Sequence, residues 1–237
     1  MLVTMRATFS ALGRGSARWV DRGGVGALVT PRVPQRSIVN CVIYERGSDI
    51  ESAYGWLEAE FAGVDAWTVW VPESDRDTAG FLESRGHKRD ADPAMMVLDL
   101  RSFSPSVQLP ERRRAATVEE LAAINDLAYP WRDGSMERAI LGSAYGEAPF
   151  RLYIADEACV LGVNDVDGDA GVFFVATLPQ ARGRGLAAGL LAAAMLEARE
   201  RGCDISTLQA TKLGEPVYAR LGYQRFGAIE MWEKRNA

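Results

Sequence analysis

The sequence predicts a mixed α/β fold laid down twice along one chain. Short runs rich in β-branched and aromatic residues alternate with longer helical patterns from end to end. The Ser/Pro stretch "RSFSPSVQLPE" (101–111) breaks regular structure near the midpoint and leaves a similar order of elements on either side. The segments "LESRGHKR" (82–89) and "YARLGYQR" (218–225) share a Gly and a final Arg in register, and each leads into a strand containing Met. These features divide the chain into residues 1–104, a linker at 105–110, and residues 111–237.

In the first unit, "GVGALVT" (24–30) and "RSIVNCVIY" (36–44) read as strands joined by a turn at Pro31 and Pro34. Residues 48–63 read as a helix. Ser48 and Glu51 have capping-box spacing, and Ile50, Tyr54, Leu57 and Phe61 recur on one face. A strand at 66–71, a helix at 75–85 and a strand at 94–100 follow. The first twenty residues carry arginines and no acid, and they read as a surface helix at a domain edge rather than a transit peptide.

In the second unit, Thr117 with Glu120 predicts a capped helix start. A break at "YPWRDGS" (129–135) precedes a short helix from Met136. Strands follow at 151–157, 159–166 and 171–177, with a hairpin turn around Asp167 and Gly168. A long helix from about Arg184 to Arg201 ends at Gly202, which suits the left-handed position past a helix. A strand at 204–210, a short helix at 215–221 and a final strand from Tyr223 complete the unit.

The bulk numbers narrow the function. A formal net charge of −5 and a pI near 5.1 provide no general field to attract nucleic acid. Cys41, Cys159 and Cys203 lie far apart without a CxxC pair, as expected of buried free thiols in a reducing compartment. With one histidine, His87, no zinc site is expected, and no metal is expected at all. No apolar run reaches membrane-spanning length and no secretory h-region is present, so the expectation is a cytoplasmic protein without membrane partners.

The chemistry concentrates in "QARGRGLAAGLLAAAML" (180–196). A helix N-terminus has unpaired N–H groups and a positive dipole end, and glycines just ahead of it let backbone approach an anion. Arg182 and Arg184 add charge there, and Ala187, Ala188 and Gly189 allow close helix–sheet packing. The segment is built like a diphosphate cradle, although "GRG" alone better fits an ordinary strand–loop–helix turn with solvent-facing arginines.

The wider segment "VFFVATLPQARGRGLAAGLL" resembles motif A of the GNAT superfamily of N-acetyltransferases, with Gln180, Gly183 and Gly185 at its pattern positions. "PVYARLGYQ" (216–224) resembles the same family's motif B, with Tyr218 at the position near the CoA sulfur. The resemblance covers about 108–237, and the element order over 24–100 is similar to a degenerate second copy. It implies a tandem GNAT-like fold, with a twisted, mostly antiparallel sheet flanked by helices. It also implies acetyl-CoA as cosubstrate and a primary amine as acceptor. By the same resemblance, backbone groups of Val175, Ala176 and Thr177 would pair with the pantetheine arm. N–H groups across Arg182, Gly183, Arg184, Gly185, Leu186 and Ala187 would hold the pyrophosphate, and Tyr218 would be the general acid.

Two features depart from the family pattern. "GVFFVAT" carries no acid, so the general base is open among Asp133, Glu137, Glu147 and water. "ATKLGEP" (210–216) lacks the Asn often found ahead of the motif B helix. Tyr129 and Trp131 are candidates for an aromatic acceptor wall. In the first copy, Asp49 and Glu51 sit where an anion would bind and Leu82 stands in the place of Tyr218, so that copy is expected neither to bind CoA nor to catalyse. His87, in the place of Tyr223, reads as structural.

Two other classes stay open. An acetyl-CoA sensor with little turnover would keep the cradle and need no base. A dinucleotide-binding domain also matches "GRGLAAG" (183–189), but Gly183 lies too far past its strand for a Rossmann turn. The acceptor is unspecified, and monomer and homodimer are both compatible with the sequence.

Overall fold

The computed structural model describes residues 1–129 and 133–236. The first half runs α1 (Leu2–Leu12), β1 (Arg18–Arg22), β2 (Val25–Val29), β3 (Cys41–Tyr44), α2 (Gly47–Glu60), β4 (Ala66–Pro72), α3 (Arg76–Ser84), β5 (Lys88–Ala91) and β6 (Ala94–Asp99). The second runs β7 (Arg113–Ala115), α4 (Val118–Ala128), α5 (Ser135–Ile140), β8 (Phe150–Ala155), β9 (Cys159–Val166) and β10 (Asp169–Thr177). It continues through α6 (Leu186–Glu200), β11 (Ile205–Ala210), α7 (Glu215–Arg220) and β12 (Gln224–Arg235). Three strands, a helix, a strand, a helix and a closing strand or strand pair recur in both halves. In each, the helix connects two parallel strands, β3 with β4 and β10 with β11.

The strands form one sheet in the order β1-β2-β3-β4-β12-β6-β11-β10-β9-β8-β7, with β5 along β12. Its other pairings are antiparallel. The halves exchange their closing strands. β6 of the first half pairs along its length with β11 of the second, from Ala94↔Ala210 to Asp99↔Ile205. β12 of the second half pairs with β6 through residues 224–228 and with β4 of the first half through residues 229–235.

Burial explains the layers. Leu190, Leu191, Ala194 and Met195 of α6 pack on Leu161, Val172 and Leu208 of the sheet. Ile50, Tyr54, Leu57 and Leu82 do the same for α2 and α3. On the opposite face, α1, α4 and α5 share one core with Ile43, Trp70, Ile154, Ile229 and Met231, so this cluster draws on both halves. The expected linker lies across α6. A Cβ on Gly189 would come within 2.5 Å of the Gln108 carbonyl oxygen, so only glycine lets the strap sit this close.

Three local expectations need correction. Helix α2 starts at Gly47 with Arg46 as an extended N-cap, and Ser48 makes no cap. The Arg46 guanidinium bonds Asp49 at 3.1–3.2 Å across that terminus, which fixes the start earlier than the Ser48–Glu51 box implied. Residues 36–44 are not one strand. Ser37–Val39 is a 3-10 turn because the buried Asn40 side chain accepts from the Thr30 N–H and donates to Val33 and Arg36 carbonyls. Nor is α1 a surface helix. Thr4, Met5, Thr8, Ala11 and Leu12 are buried, and Asn164 of β9 donates to Thr8 Oγ1 and to the Thr4 carbonyl. Its small and hydroxyl residues bury without leaving a strong apolar stripe.

Other expectations hold. Thr117 and Glu120 form a reciprocal capping box. Asp167 and Gly168 turn the β9–β10 hairpin at φ 49° and 80°, and Gly202 follows α6 at φ 96°. All three cysteines are buried free thiols.

Candidate functional site

The site begins where β10 and β11 part. They pair from Asp169↔Ile205 to Val172↔Leu208 and no further. Beyond Val172, β10 bulges between Phe173 and Ala176 while staying paired to β9. Phe174 adopts φ 51°, a left-handed conformation rarely used by a bulky side chain. β11 stays paired to its other neighbour, β6, as far as Ala210. A gap therefore opens beside Val175, Ala176 and Thr177, and all three predicted strand residues flank it.

The chain then passes through a 3-10 turn at Pro179–Ala181, which holds Gln180 at the surface, and enters the glycine loop. Gly183 and Gly185 both have φ 76°. Gly185 is the N-cap of α6 in left-handed conformation, with no side-chain cap and no acid in the first turn. The first N–H groups of α6, from Leu186 onward, have no acceptor within the helix. A Cβ on Gly185 would stand in open space, so the cradle is accessible and its backbone is bare. These residues suit a pyrophosphate.

The two arginines are engaged differently. Arg182 donates from Nη2 to the Ala128 carbonyl at 2.6 Å and from Nε to the Thr177 carbonyl at 3.3 Å. Arg184 is exposed and pairs with Asp156 at 3.2 Å. Arg184 therefore borders the cradle as solvated charge, while Arg182 holds the loop to the end of α4.

Tyr218, on α7, is 8% exposed and lies with its ring 6.0 Å from that of Tyr223. Burial raises its pKa, reinforced by the nearby Tyr129 phenol and Cys159 thiol, so it stays protonated at neutral pH. Tyr129 donates to the Val175 carbonyl at 3.3 Å, directly at the gap. Trp131, the other aromatic candidate, falls outside the described residues.

Of the candidate bases, Asp133 is fully engaged. Ser135 and the Arg36 guanidinium, at 3.0 Å, hold its carboxyl far below the usual range, which suits it poorly to accept a proton. Glu137 and Glu147 are exposed. Sequence reasoning missed two neighbours on α4. Asp126 is 8% exposed and accepts the Met136 and Glu137 N–H groups at 2.9 and 3.1 Å, so it caps α5. Asn125 is 1% exposed and donates to the Leu121 and Phe174 carbonyls. The "ND" pair in "AAINDLA" was the available signal: two polar residues interrupting a buried helix.

In the first half, the corresponding helix start holds the Asp49 carboxylate in its first turn, and Leu82 is fully buried. His87 is 1% exposed. Its Nδ1 donates to the Trp232 carbonyl at 2.9 Å and its Nε2 accepts from Tyr54 at 3.0 Å, as a packing residue does.

Against known proteins, the family model described as "Acetyltransferase (GNAT) domain" matches residues 141–226. No curated protein sequence matches the chain. Solved structures share the fold at low identity. A GCN5-related N-acetyltransferase from Kribbella flavida is 18% identical, with 98% of this chain and 96% of that chain covered at a TM-score of 0.65. One from Sphaerobacter thermophilus is 17% identical, with 91% and 82% covered at 0.61. A tandem GNAT protein from the clavulanic acid biosynthesis pathway is 14% identical, with 90% and 81% covered at 0.58.

Proposed function

We propose that the chain, whose residues 141–226 match the model of the GNAT acetyltransferase domain, transfers the acetyl group of acetyl-CoA to a primary amine by direct attack on the thioester. The observation that carries the reading is the bare, left-handed start of α6 at Gly185, opening beside the gap between β10 and β11. N–H groups from Arg182 to Ala187 hold the pyrophosphate, with Gln180 at the loop's outer edge. Backbone groups of Val175, Ala176 and Thr177 pair with the pantetheine arm.

In the reaction, the amine nitrogen bonds to the thioester carbon and the carbonyl oxygen takes the electron pair. The Val175 N–H stabilises that oxyanion. Collapse breaks the C–S bond and releases the CoA thiolate, which Tyr218 meets with its phenolic proton. With its pKa raised, full transfer to a thiolate of pKa about 8.5 is uphill, so Tyr218 acts first as a hydrogen-bond donor. With no acid between Ala170 and Thr177 and Asp133 committed to Arg36 and Ser135, water takes the proton lost by the amine.

The same commitments favour one second reading, an acetyl-CoA sensor with little turnover. Calorimetry with acetyl-CoA, with NAD(H) as control, tests the cradle. Binding that Gly185→Glu abolishes is expected, and binding indifferent to that change would overturn both readings. Tyr218→Phe then separates them against an amine library: an enzyme loses rate, whereas a sensor has no rate to lose and keeps its affinity.

A further inference from the structure

The bulge at Phe174 needs an agent that holds it. A phenylalanine at φ 51° sits in a conformation that L side chains with a Cβ disfavour, and it persists only where its surroundings fix it. The surroundings here are one helix turn. Asn125 Nδ2 donates to the Phe174 carbonyl at 3.3 Å and to the Leu121 carbonyl at 2.9 Å. Four residues on, Tyr129 donates from its hydroxyl to the Val175 carbonyl at 3.3 Å. Asn125 lies in the last turn of α4 and Tyr129 is the residue that caps its end, and between them two consecutive carbonyls of the bulge are taken. Both partners of the Asn125 amide are carbonyl oxygens, so its nitrogen must face them. Its Oδ1 is then left buried without a hydrogen-bond partner. A chain selected for stability alone gains nothing from that orphan, because an apolar side chain of the same shape would avoid its desolvation.

We propose that Asn125 is a positioning residue: with Tyr129, it locks the Phe174–Val175 bulge so that the Val175 N–H is set toward the thioester carbonyl. The proposal rests on the acetyl-transfer reading for its purpose, but the clamp is testable without it. Neither residue touches the reacting atoms. They act through the strand.

The test pairs two readouts on Asn125→Leu and Tyr129→Phe. The first is amide hydrogen exchange over 173–177 in the free protein. Both variants are expected to exchange there roughly tenfold faster or more, with β8 and α6 unchanged. The second is the infrared carbonyl band of acetyl-CoA labelled with 13C at the thioester carbon. Wild type is expected to shift it to lower frequency on binding, and the variants to lose most of that shift while Kd stays within about threefold, because only one hydrogen bond weakens. A purely structural role moves melting temperature and leaves the band alone. Unchanged exchange in both variants overturns the clamp, and loosened exchange with an unchanged band overturns the positioning role. A wild type that fails to bind acetyl-CoA sinks the functional reading instead, and the exchange arm still decides the clamp. Tyr129→Phe keeps its ring, so the test survives if Asn125→Leu does not fold.

Discussion

Arg182 reaches 2.6 Å from its guanidinium to the carbonyl of Ala128, so a residue of the glycine loop caps the C-terminus of α4. A cation there satisfies an orphan carbonyl and complements the helix dipole. Arg184, one residue beyond Gly183, instead pairs with Asp156 in solvent. The two arginines should therefore differ under calorimetry. Arg182→Ala is expected to weaken acetyl-CoA binding about tenfold or more, since a charge-assisted contact of roughly 1.5–3 kcal/mol that orders the loop is lost. Arg184→Ala should cost about threefold or less, and that cost should fade with added salt. Equal losses would mean that both act only as surface charge.

Gly189 is the point where the strap at 105–110 crosses α6. Alanine is favoured over glycine inside a helix by about 1 kcal/mol. At Gly189 that gain meets a Cβ 2.5 Å from the Gln108 carbonyl oxygen and 3.1 Å from Pro110 Cδ. Backbone must shift, so Gly189→Ala is expected to destabilise by about 1–3 kcal/mol. Calorimetric melting should show a fall of several degrees. Gly55→Ala, on the exposed side of α2 with nothing near its Cβ, is the control and should stabilise slightly.

His87 makes stability depend on pH. Burial lowers its pKa from 6.5 to about 4; the bond to Trp232 opposes this shift and the charge of Lys234 adds to it. The folded protein holds His87 neutral, while the unfolded chain protonates it below about 6.5. The unfolded state therefore binds more protons between those values, and stability falls as pH drops from about 6.5 to 4. The full contribution is about 3 kcal/mol at 1.36 kcal/mol per pKa unit. Urea titrations of wild type across that window should show the slope, and His87→Gln should flatten it. A variant with an undiminished slope would place the proton elsewhere.

The sequence made local structure legible wherever a side chain acts on its own backbone. The Thr117–Glu120 box, the Asp167–Gly168 turn and the glycine at 202 are readable, because each has a short-range mechanism, whereas the Ser48–Glu51 spacing misleads because Arg46 caps α2 earlier and the helix expected from Arg184 begins only after Gly185. Pattern reading failed where a distant partner decides. Edge strands β1 and β7, "RWVDR" and "RRA", were missed because they are exposed and charged and lack an apolar face. Helix α1 offers no apolar stripe to mark it as buried, because Thr4 and Thr8 bury through hydrogen bonds. In the candidate site, Gly183, Gly185 and Tyr218 stand at motif positions. Asn125 matches no motif: its polarity within a buried helix is visible, but its partner is a carbonyl 49 positions away. Strand exchange was likewise invisible: alternation says that 94–99 is a strand but not which neighbour it joins.

That exchange governs when the protein can be complete. The strand at 224–235 is the seam between the two halves, and it follows both of its partners, β4 and β6, by more than a hundred residues in the chain. Until it emerges from the ribosome, β4 lacks one neighbour and β6 has only β11 to join. Pairings such as Trp70↔Met231 span most of the chain, and contacts of that separation close slowly. The first half must therefore wait, with a sheet edge unprotected, for the strand that closes the second. An unpaired strand edge is a template for pairing with another chain, so that interval is when a partly made chain is most open to association.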